Sequence, residues 1–236
     1  MKKEDRGEAD QLLTLFTEDF GRLEVLARAI RKIASKLRAS ADLFYFSEIE
    51  FIQGKNYKTL TDAVVIDKFK HLRQSPEKLE IVYKIAEIID LLVVKEEKDT
   101  QIWQLLFQAI TRAALVKTVQ GQPLPTLSIS PIFFWKLAVI LGYSPELYNC
   151  ACCHKKLLPE MLFFSPQDGG VVCWQCKSKE NECKEILVDT IKIIRLFLKE
   201  PFEMVQGLVI TKDVQENLEQ ITDFYFQGLT SVLGKI

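Results

Sequence analysis

Two matched cysteine pairs constrain this chain more than any other feature of its sequence. The first pair is Cys150 and Cys153, the second is Cys173 and Cys176, and nineteen residues separate them. Each C-x-x-C turn can present two thiolates on one side, and two such turns complete the tetrahedral coordination of a structural zinc ion. A Gly-Gly dipeptide at 169–170 favours a hairpin that returns the second pair to the first. The sequence therefore predicts zinc bound by these four cysteines.

Three other interpretations of the cysteines compete with this one. Free cysteines often behave as small buried hydrophobic residues, which suits the isolated Cys183 but not two matched pairs. Residues 150–154 spell the C-x-x-C-H motif of haem attachment, which would require export and would leave the second pair unexplained. A catalytic zinc ion needs an open coordination position and usually a general base, yet the chain has no H-x-E or H-E-x-x-H motif. A closed structural site is favoured, with Cys152 as an alternative ligand to Cys153.

Motifs of common enzyme classes are absent from the sequence. There is no G-x-S-x-G motif, and residues 228–235 resemble a phosphate-binding loop only loosely, because one residue is extra and the Ser/Thr is missing. The chain has two histidines, so acid–base catalysis would rest on carboxylates, and no constellation of them stands out. A protein without enzymatic activity is predicted.

Length and charge place the chain in a broad class. Its 236 residues suit one large domain or two small ones, and a net charge of −1 means that any nucleic-acid binding must come from local clustering. The first residues alternate charges and do not resemble a secretory signal. The longest apolar run, 132–143, is too short to cross a bilayer. A cytosolic protein with reduced cysteines is expected.

The first part of the chain, to about residue 70, is predicted to be β structure. Gly21 fits the left-handed position that closes a hairpin loop. Four strands without a helical period predict a small barrel or sandwich. Because Met1 stands almost at the first turn-like stretch, a closed five-stranded barrel would lack one strand, and a shortened N-terminus is expected. The predicted strands are 11–16, 22–29, 42–52 and 57–69.

Downstream of His71 the hydrophobic pattern becomes helical. The third predicted helix is apolar almost all round, which is typical of a buried central helix. A proline-rich connection, 121–130, precedes it. The predicted helices begin at Ser75-Pro76, near Asp99 and at Ser130-Pro131, and two more cover 182–200 and 214–233.

Positive charge is concentrated between residues 22 and 38, where six basic residues stand against one acidic residue, Glu24. Such a cluster can follow a phosphate backbone, or it can be ordinary solvated surface. Aromatic residues on the next predicted strand offer stacking surfaces for bases, although strand aromatics more often fill a core; they are Phe44, Tyr45, Phe46 and Phe51. The candidate nucleic-acid-binding residues are Arg22, Arg28, Arg31, Lys32, Lys36 and Arg38.

In combination, several segments resemble the bacterial RecO family of recombination mediators. The stretch GEAD at 7–10, followed by LLTLFT at 12–17 and Gly21, is similar to the family's N-terminal barrel signature. ARAIRKIASKLR at 27–38 is similar to its basic A-x-G-x-R segment, with Ala29 where the family often has glycine. FSPQDGGVVCWQC at 164–176 resembles the family's sequence through the second cysteine pair. The resemblance covers essentially the whole chain.

The resemblance implies an α+β, multi-domain protein. An N-terminal oligonucleotide-binding (OB) fold β-barrel would be followed by an α-helical domain with a zinc-ribbon-like insert of four cysteines. The implied partners are single- and double-stranded DNA, RecR, the C-terminal tail of single-strand-binding protein and, indirectly, RecA. The implied activities are strand annealing and help in loading RecA onto coated DNA. No membrane partner is expected, and the expected location is the nucleoid in the bacterial cytoplasm.

The expected domain boundaries follow the same order. Residues 1–72 would form the OB domain, 73–148 the first part of the helical domain, 149–180 the zinc-binding insert and 181–236 the second helical part. Family members carry a strand before the position that matches Lys2, which again suggests a shortened N-terminus. The main alternative function is an OB/zinc-ribbon protein that binds RNA or the ribosome, and competition between matched DNA and RNA strands would distinguish the two.

Overall fold

Three antiparallel strands open the chain: β1 (Lys2–Arg6), β2 (Asp10–Thr17) and β3 (Gly21–Ala27). In β3 buried residues alternate with accessible ones, so that one face of the strand lies in a hydrophobic core. Gly21 closes the turn between β2 and β3 with a φ of +64°. A Cβ atom at this position would also collide with the backbone carbonyl of Glu97, so the turn admits glycine alone.

The expectation of only four strands is wrong. The charged stretch Lys2–Arg6 pairs with β2, from Lys2 opposite Thr14 to Arg6 opposite Asp10, and forms the fifth strand. As an edge strand it carries charge without the alternation that a half-buried strand needs, which is why its sequence gives no β signal.

The sheet is completed by β4 (Phe46–Gln53) and β5 (Lys58–Asp67), an antiparallel hairpin. The strand order is β1-β2-β3-β5-β4, and β3 pairs with β5 in parallel at Val25 opposite Lys58. This five-stranded arrangement with a non-sequential neighbour fits the partly open barrel of OB folds. No ladder joins β1 to β4 within the described residues. Strand pairing therefore does not close the barrel between these two strands.

Strand β4 begins four residues later than predicted. Phe44 adopts a left-handed backbone with a φ of +59°, and the amide of Tyr45 donates to the carbonyl of Asp42 in a turn. The buried Phe44 ring meets Tyr83 edge to face, with ring centroids 4.8 Å apart. Packing of this aromatic residue therefore overrides the strand propensity of the segment.

Two helices follow the sheet: α1 (Pro76–Leu92) and α2 (Thr100–Leu115). Both begin as predicted, at a proline in the first turn of α1 and after Asp99, whose carboxylate accepts the amide of Ile102 at 3.0 Å. Lys78 is buried, and its Nζ donates to the carbonyl of Ala114 at 3.1 Å. The lysine thereby satisfies a carbonyl at the end of α2 that has no partner within the helix.

The C-terminal part contains the predicted central helix, α3 (Ile129–Ile140), whose described side chains are buried over 129–135. Trp135 donates its indole N–H to Thr222 at 3.0 Å and stacks on Tyr225 at 5.3 Å. Lys136 donates to the carbonyl of Glu200 at 2.7 Å, and burial lowers its pKa. The other helices are α4 (Val188–Lys199), α5 (Phe202–Val205) and α6 (Lys212–Val232).

A small sheet carries the cysteine segment: β6 (Leu162–Ser165), β7 (Gly170–Cys173) and β8 (Lys184–Ile186), in the order β7-β6-β8. The predicted helix over 182–200 is therefore wrong in its first residues, because Lys184–Ile186 pairs with β6. The predicted hairpin at the Gly-Gly dipeptide is confirmed by the antiparallel pairing of β6 with β7.

The computed structural model describes residues 1–55, 57–94, 96–115, 129–177 and 182–234. The predicted proline-rich connection, 121–130, lies outside these residues except for its last two positions. The chain divides into two compact units, Met1–Val116 and Lys117–Ile236. The finer division into four segments stays a prediction. Among the described helices, none is both long and apolar enough to cross a membrane.

Candidate functional site

The four predicted metal ligands lie together where β7 ends. The sulfur atoms of Cys150, Cys153, Cys173 and Cys176 are all within 4.8 Å of one another, and those of Cys153 and Cys173 are 4.0 Å apart. Zinc–sulfur bonds of about 2.3 Å in a tetrahedron place sulfur atoms about 3.8 Å apart. The four cysteines could therefore hold a metal ion after a small contraction.

Each cysteine pair is shaped by its own backbone turn. In the first, the amide of His154 donates to the carbonyl of Cys150 at 2.9 Å, and the amide of Cys150 donates to the carbonyl of Lys155 at 2.8 Å. His154 adopts a left-handed φ of +59° to close this turn. In the second, β7 runs into a short 3₁₀ helix, Trp174–Cys176, and the amide of Lys177 donates to the carbonyl of Cys173 at 3.1 Å.

Backbone amides favour a negative charge on one sulfur atom of the cluster. Burial opposes ionisation of the Cys150 thiol, but backbone amides that include that of Cys173, 3.4 Å away, donate to its sulfur and lower its pKa to about 6. Hydrogen bonds to the sulfurs of Cys173 and Cys153 raise the pKa of the Cys176 thiol. Negative charge is therefore stabilised on the Cys150 sulfur, and the proton of the Cys176 thiol is one that a metal ion would have to displace.

The geometry separates Cys153 from its neighbour Cys152. Cys152 is exposed and does not belong to the four-sulfur cluster. Desolvation and the nearby Asp168 carboxylate raise its pKa to about 11. Cys183 is half-buried beside the cluster and likewise lies outside the group of four.

Residues before the first cysteine hold the second turn in place. The amide of Val171 donates to the carbonyl of Glu146 at 2.8 Å, and the amide of Glu146 donates to the carbonyl of Gly169 at 2.9 Å. A Cβ atom on Gly170 would collide with the backbone of Glu146, so this bridge requires glycine. The cysteine turns are therefore positioned by the small sheet and by this bridge together.

The candidate DNA-binding residues divide into two groups. Arg22 lies on β3 and is half-buried, with its guanidinium 2.7 Å from the Asp90 carboxylate on α1 and 3.2 Å from Glu24. Its charge is compensated within the fold. The other five follow β3 and are all exposed: Arg28, Arg31, Lys32, Lys36 and Arg38. We call residues 28–38 the basic loop.

Among the described residues, most of the cations in the basic loop have no ion-pair partner. Arg31 forms an ion pair with Asp5, 3.2 Å away, and both side chains are largely exposed. The remaining four cations have no ion pair to any residue that the structure describes. An exposed ion pair such as Arg31–Asp5 is weak, so all five cations of the loop are available to bind an anionic partner.

The GEAD stretch near the N-terminus holds the basic loop. Asp10 accepts the backbone amide of Ala29 at 2.7 Å, and the carbonyl of Ala9 accepts the amide of Arg31 at 3.0 Å. Ala29 has a φ of +52°, in the left-handed region that favours glycine. Residues 7–10 and 27–38, two of the segments that carry the family resemblance, therefore contact each other directly.

Substituting Ala29→Gly is expected to stabilise the protein by about 1 kcal/mol, because alanine is strained in the left-handed region and glycine is not. Urea unfolding followed by circular dichroism measures the change. Ala34→Gly in the same loop is the control, and it should be neutral or destabilising. An unchanged or lower stability of the Ala29→Gly variant would contradict the left-handed conformation at this position.

The aromatic residues of this region pack within the fold. Phe46 lies 5.2 Å from Phe107, and Phe51 lies 5.3 Å from Phe20. The guanidinium of Arg73 lies 4.8 Å from the ring centroid of Tyr45. Together with the buried Phe44, these contacts fit the interpretation of the aromatics as packing residues.

A cavity that the sequence does not indicate lies in the N-terminal unit, between α2 and the five-stranded sheet β1–β5, which we call the β module. Its volume is about 510 Å³, and its lining includes Phe16, Phe46, Trp103 and Phe107. These four residues come from three separate elements, so no local sequence pattern predicts the cavity. A search for spacing motifs could not have found it.

A five-stranded β module, a helical part and a cluster of four cysteines together define a class of α+β protein. Residues 1–69 match the family model "Recombination protein O N terminal", and residues 73–230 match "Recombination protein O C terminal". The chain belongs to the RecO family, and this membership supports a function in DNA repair and recombination.

Curated relatives agree with the family models. The chain is 30% identical over 219 residues to the DNA repair protein RecO of Dehalococcoides mccartyi, with 93% of this chain and 83% of that protein covered. It is 28% identical over 221 residues to the DNA repair protein RecO of a Thermoanaerobacter species, with 94% and 86% covered. The predicted family is thus confirmed over nearly the whole chain.

Proposed function

We propose that this protein is a non-catalytic recombination mediator that binds single- and double-stranded DNA through its basic loop. The observation that carries the proposal is the run of exposed cations after β3, four of which have no ion pair to a described residue. Cations held on a structured loop can neutralise successive phosphates and release their counterions. Contacts of this kind fix the position of DNA without reading its sequence.

Binding of this kind supports annealing of complementary strands. Two DNA strands repel each other through their phosphates, and a protein that neutralises phosphates lowers this repulsion. In the proposed pathway the protein acts on DNA coated with single-strand-binding protein, engages the C-terminal tail of that protein, and with RecR helps to load RecA. A DNA substrate would place it at the nucleoid in the bacterial cytoplasm.

We further propose that the four-cysteine cluster holds one structural Zn²⁺ ion. Four thiolates would close the coordination sphere and leave no position for a substrate. The ligands would be Cys150, Cys153, Cys173 and Cys176, and the ion would join the two cysteine turns. Its role would be to stabilise the fold, in keeping with a protein that catalyses no reaction.

Annealing of complementary oligonucleotides coated with single-strand-binding protein tests the proposed function. We expect annealing to be faster with the protein than without it. A preparation from which a chelator has removed the metal serves as a control, because it shows whether annealing requires a folded second unit. Equal rates with and without the folded protein would contradict the proposal. The alternative RNA-binding function predicts that matched single-stranded RNA competes better than DNA.

A further inference from the structure

One aliphatic side chain of the basic loop is almost fully exposed to solvent. The loop contains three large aliphatic residues, Ile30, Ile33 and Leu37. Ile30 is 3% exposed and belongs to the core of the β module, and Leu37 packs against the same core. Ile33, between them, is 93% exposed. Two of the three residues anchor the loop, and the third has no packing role within the described fold.

Ile33 lies at the apex of a tight turn. The amide of Ser35 donates to the carbonyl of Lys32 at 3.0 Å, so Ile33 and Ala34 are the central residues of the turn. Glycine, proline, asparagine, aspartate and serine are the residues that such positions favour, each for a backbone reason that isoleucine does not share. Neither local propensity nor packing accounts for isoleucine here, and such inconsistencies are expected at functional sites.

The backbone holds this apex in a defined position. The amide of Lys32 donates to the carbonyl of Ala29 at 3.1 Å, one turn before the apex. Ala29 itself is bound to the Asp10 carboxylate at 2.7 Å. On the other side, Arg38 donates its amide to Ser35 at 3.3 Å within a short 3₁₀ helix. An apolar tip that is ordered before binding loses little conformational entropy when it binds.

The charges around the apex specify the chemistry of its partner. Arg31 and Lys32 immediately precede Ile33, and Lys36 and Arg38 follow it. The exposed Ile33 side chain is therefore an apolar group with cations on both sides of it. Nucleic acid has the matching arrangement, since its stacked bases are apolar and phosphates flank them on both sides.

We propose that Ile33 is a wedge that enters between neighbouring bases of DNA while the flanking cations hold the adjacent phosphates. Apolar side chains, isoleucine among them, partly unstack base steps in this way in proteins that bend DNA. The inference rests on the proposed DNA binding and adds to it a mode of contact. An unstacked step loses part of the stacking energy that holds a duplex together, so the wedge would weaken the duplex locally.

A duplex with 2-aminopurine at its centre tests the wedge, because the fluorescence of this base rises when it unstacks. We expect the wild-type protein to raise the fluorescence at saturation and the Ile33→Ala variant to leave it unchanged. The variant should bind roughly tenfold more weakly, in line with the loss of part of a buried aliphatic side chain. Its salt slope should stay the same, because no cation is removed.

Two further variants serve as controls. Ile33→Leu keeps an aliphatic wedge and should retain the fluorescence rise. Val209→Ala removes an aliphatic side chain that is 76% exposed in the other unit, and it should behave like the wild type. Because Ile33 is so exposed, its substitution should not change the unfolding temperature, and a thermal scan verifies this.

The outcomes distinguish the wedge from DNA binding as such. If the wild-type protein does not bind the duplex, the proposed function fails and the wedge fails with it. If it binds, but the fluorescence stays constant or Ile33→Ala matches the wild type, the wedge alone is overturned. The wedge is also overturned if Ile33→Ala binds DNA normally yet loses sedimentation with vesicles of phosphatidylglycerol and phosphatidylcholine, which would assign the tip to a membrane surface.

Discussion

Replacing Cys153 by serine is expected to abolish metal binding, whereas replacing Cys152, its neighbour in the chain, is expected to leave it intact. The Cys153 sulfur lies within the four-sulfur cluster, and Cys152 is exposed outside it. Purified wild type should contain about one zinc ion per chain. Metal analysis by mass spectrometry should find about one ion in Cys152→Ser and almost none in Cys153→Ser.

The loss of the ion should also destabilise the C-terminal unit. Zinc contributes about 10–16 kcal/mol of apparent binding free energy in zinc-finger peptides, where it replaces a core. This unit has its own buried helix, so we expect a smaller loss of about 4 kcal/mol. For a chain of this size such a loss lowers the melting temperature by roughly 8–16 °C. Differential scanning calorimetry, with and without a chelator, measures it.

Cys152→Ser is a strict control because it removes the same chemical group one residue away. If Cys152→Ser loses the ion and Cys153→Ser keeps it, the ligand assignment is wrong. If both variants keep the ion and melt like the wild type, the cluster does not bind zinc through four thiolates. A chelator should lower the melting temperature of the wild type and of Cys152→Ser but not that of Cys153→Ser, which separates metal loss from disturbed packing.

Reversing two charges in the basic loop should have the second-largest effect. In Lys32→Glu/Lys36→Glu, two exposed cations without an ion pair among the described residues become anions. Each lost phosphate contact lowers the salt slope of duplex binding by about 0.9. We expect the slope to fall by nearly 2 and the affinity at about 50 mM salt to fall roughly 100-fold. Fluorescence anisotropy over a salt series measures both quantities.

Lys212→Glu is the matched control for charge reversal. Lys212 is highly exposed but lies on α6, outside the basic loop, 3.5 Å from Glu216. Its reversal should change affinity by less than about threefold through net charge alone. Unchanged affinity and slope in the double variant would remove the basic loop from the DNA-binding surface.

The cysteine cluster could be predicted because its signal is local. Two C-x-x-C turns and the glycines between them specify the ligands and their return path within a short stretch of chain. Helix starts at Pro76 and after Asp99 were predictable for the same reason, since caps act within one turn. In each case the residues that determine the structure are close together in sequence.

The features that escaped prediction depend on distant partners. Lys2–Arg6 becomes a strand only because β2 accepts it, and Lys184–Ile186 becomes one only because β6 does. Arg22 is predicted as a DNA-binding cation, but in the structure its guanidinium forms an ion pair with Asp90, which lies on α1. The exposure of Ile33 has the same origin, because its neighbours Ile30 and Leu37 are the loop residues that pack against the core.

The bridge between Glu146 and Gly170 determines how the cysteine cluster can be dissected. A synthetic peptide over 150–176 would contain all four sulfur ligands but would lose the backbone partner of Gly170 and the strand β8 that pairs with β6. The smallest transplantable unit that keeps both begins at Glu146 and ends at Ile186. Grafting experiments that cut at the outermost cysteines would remove the scaffold along with the flanking chain.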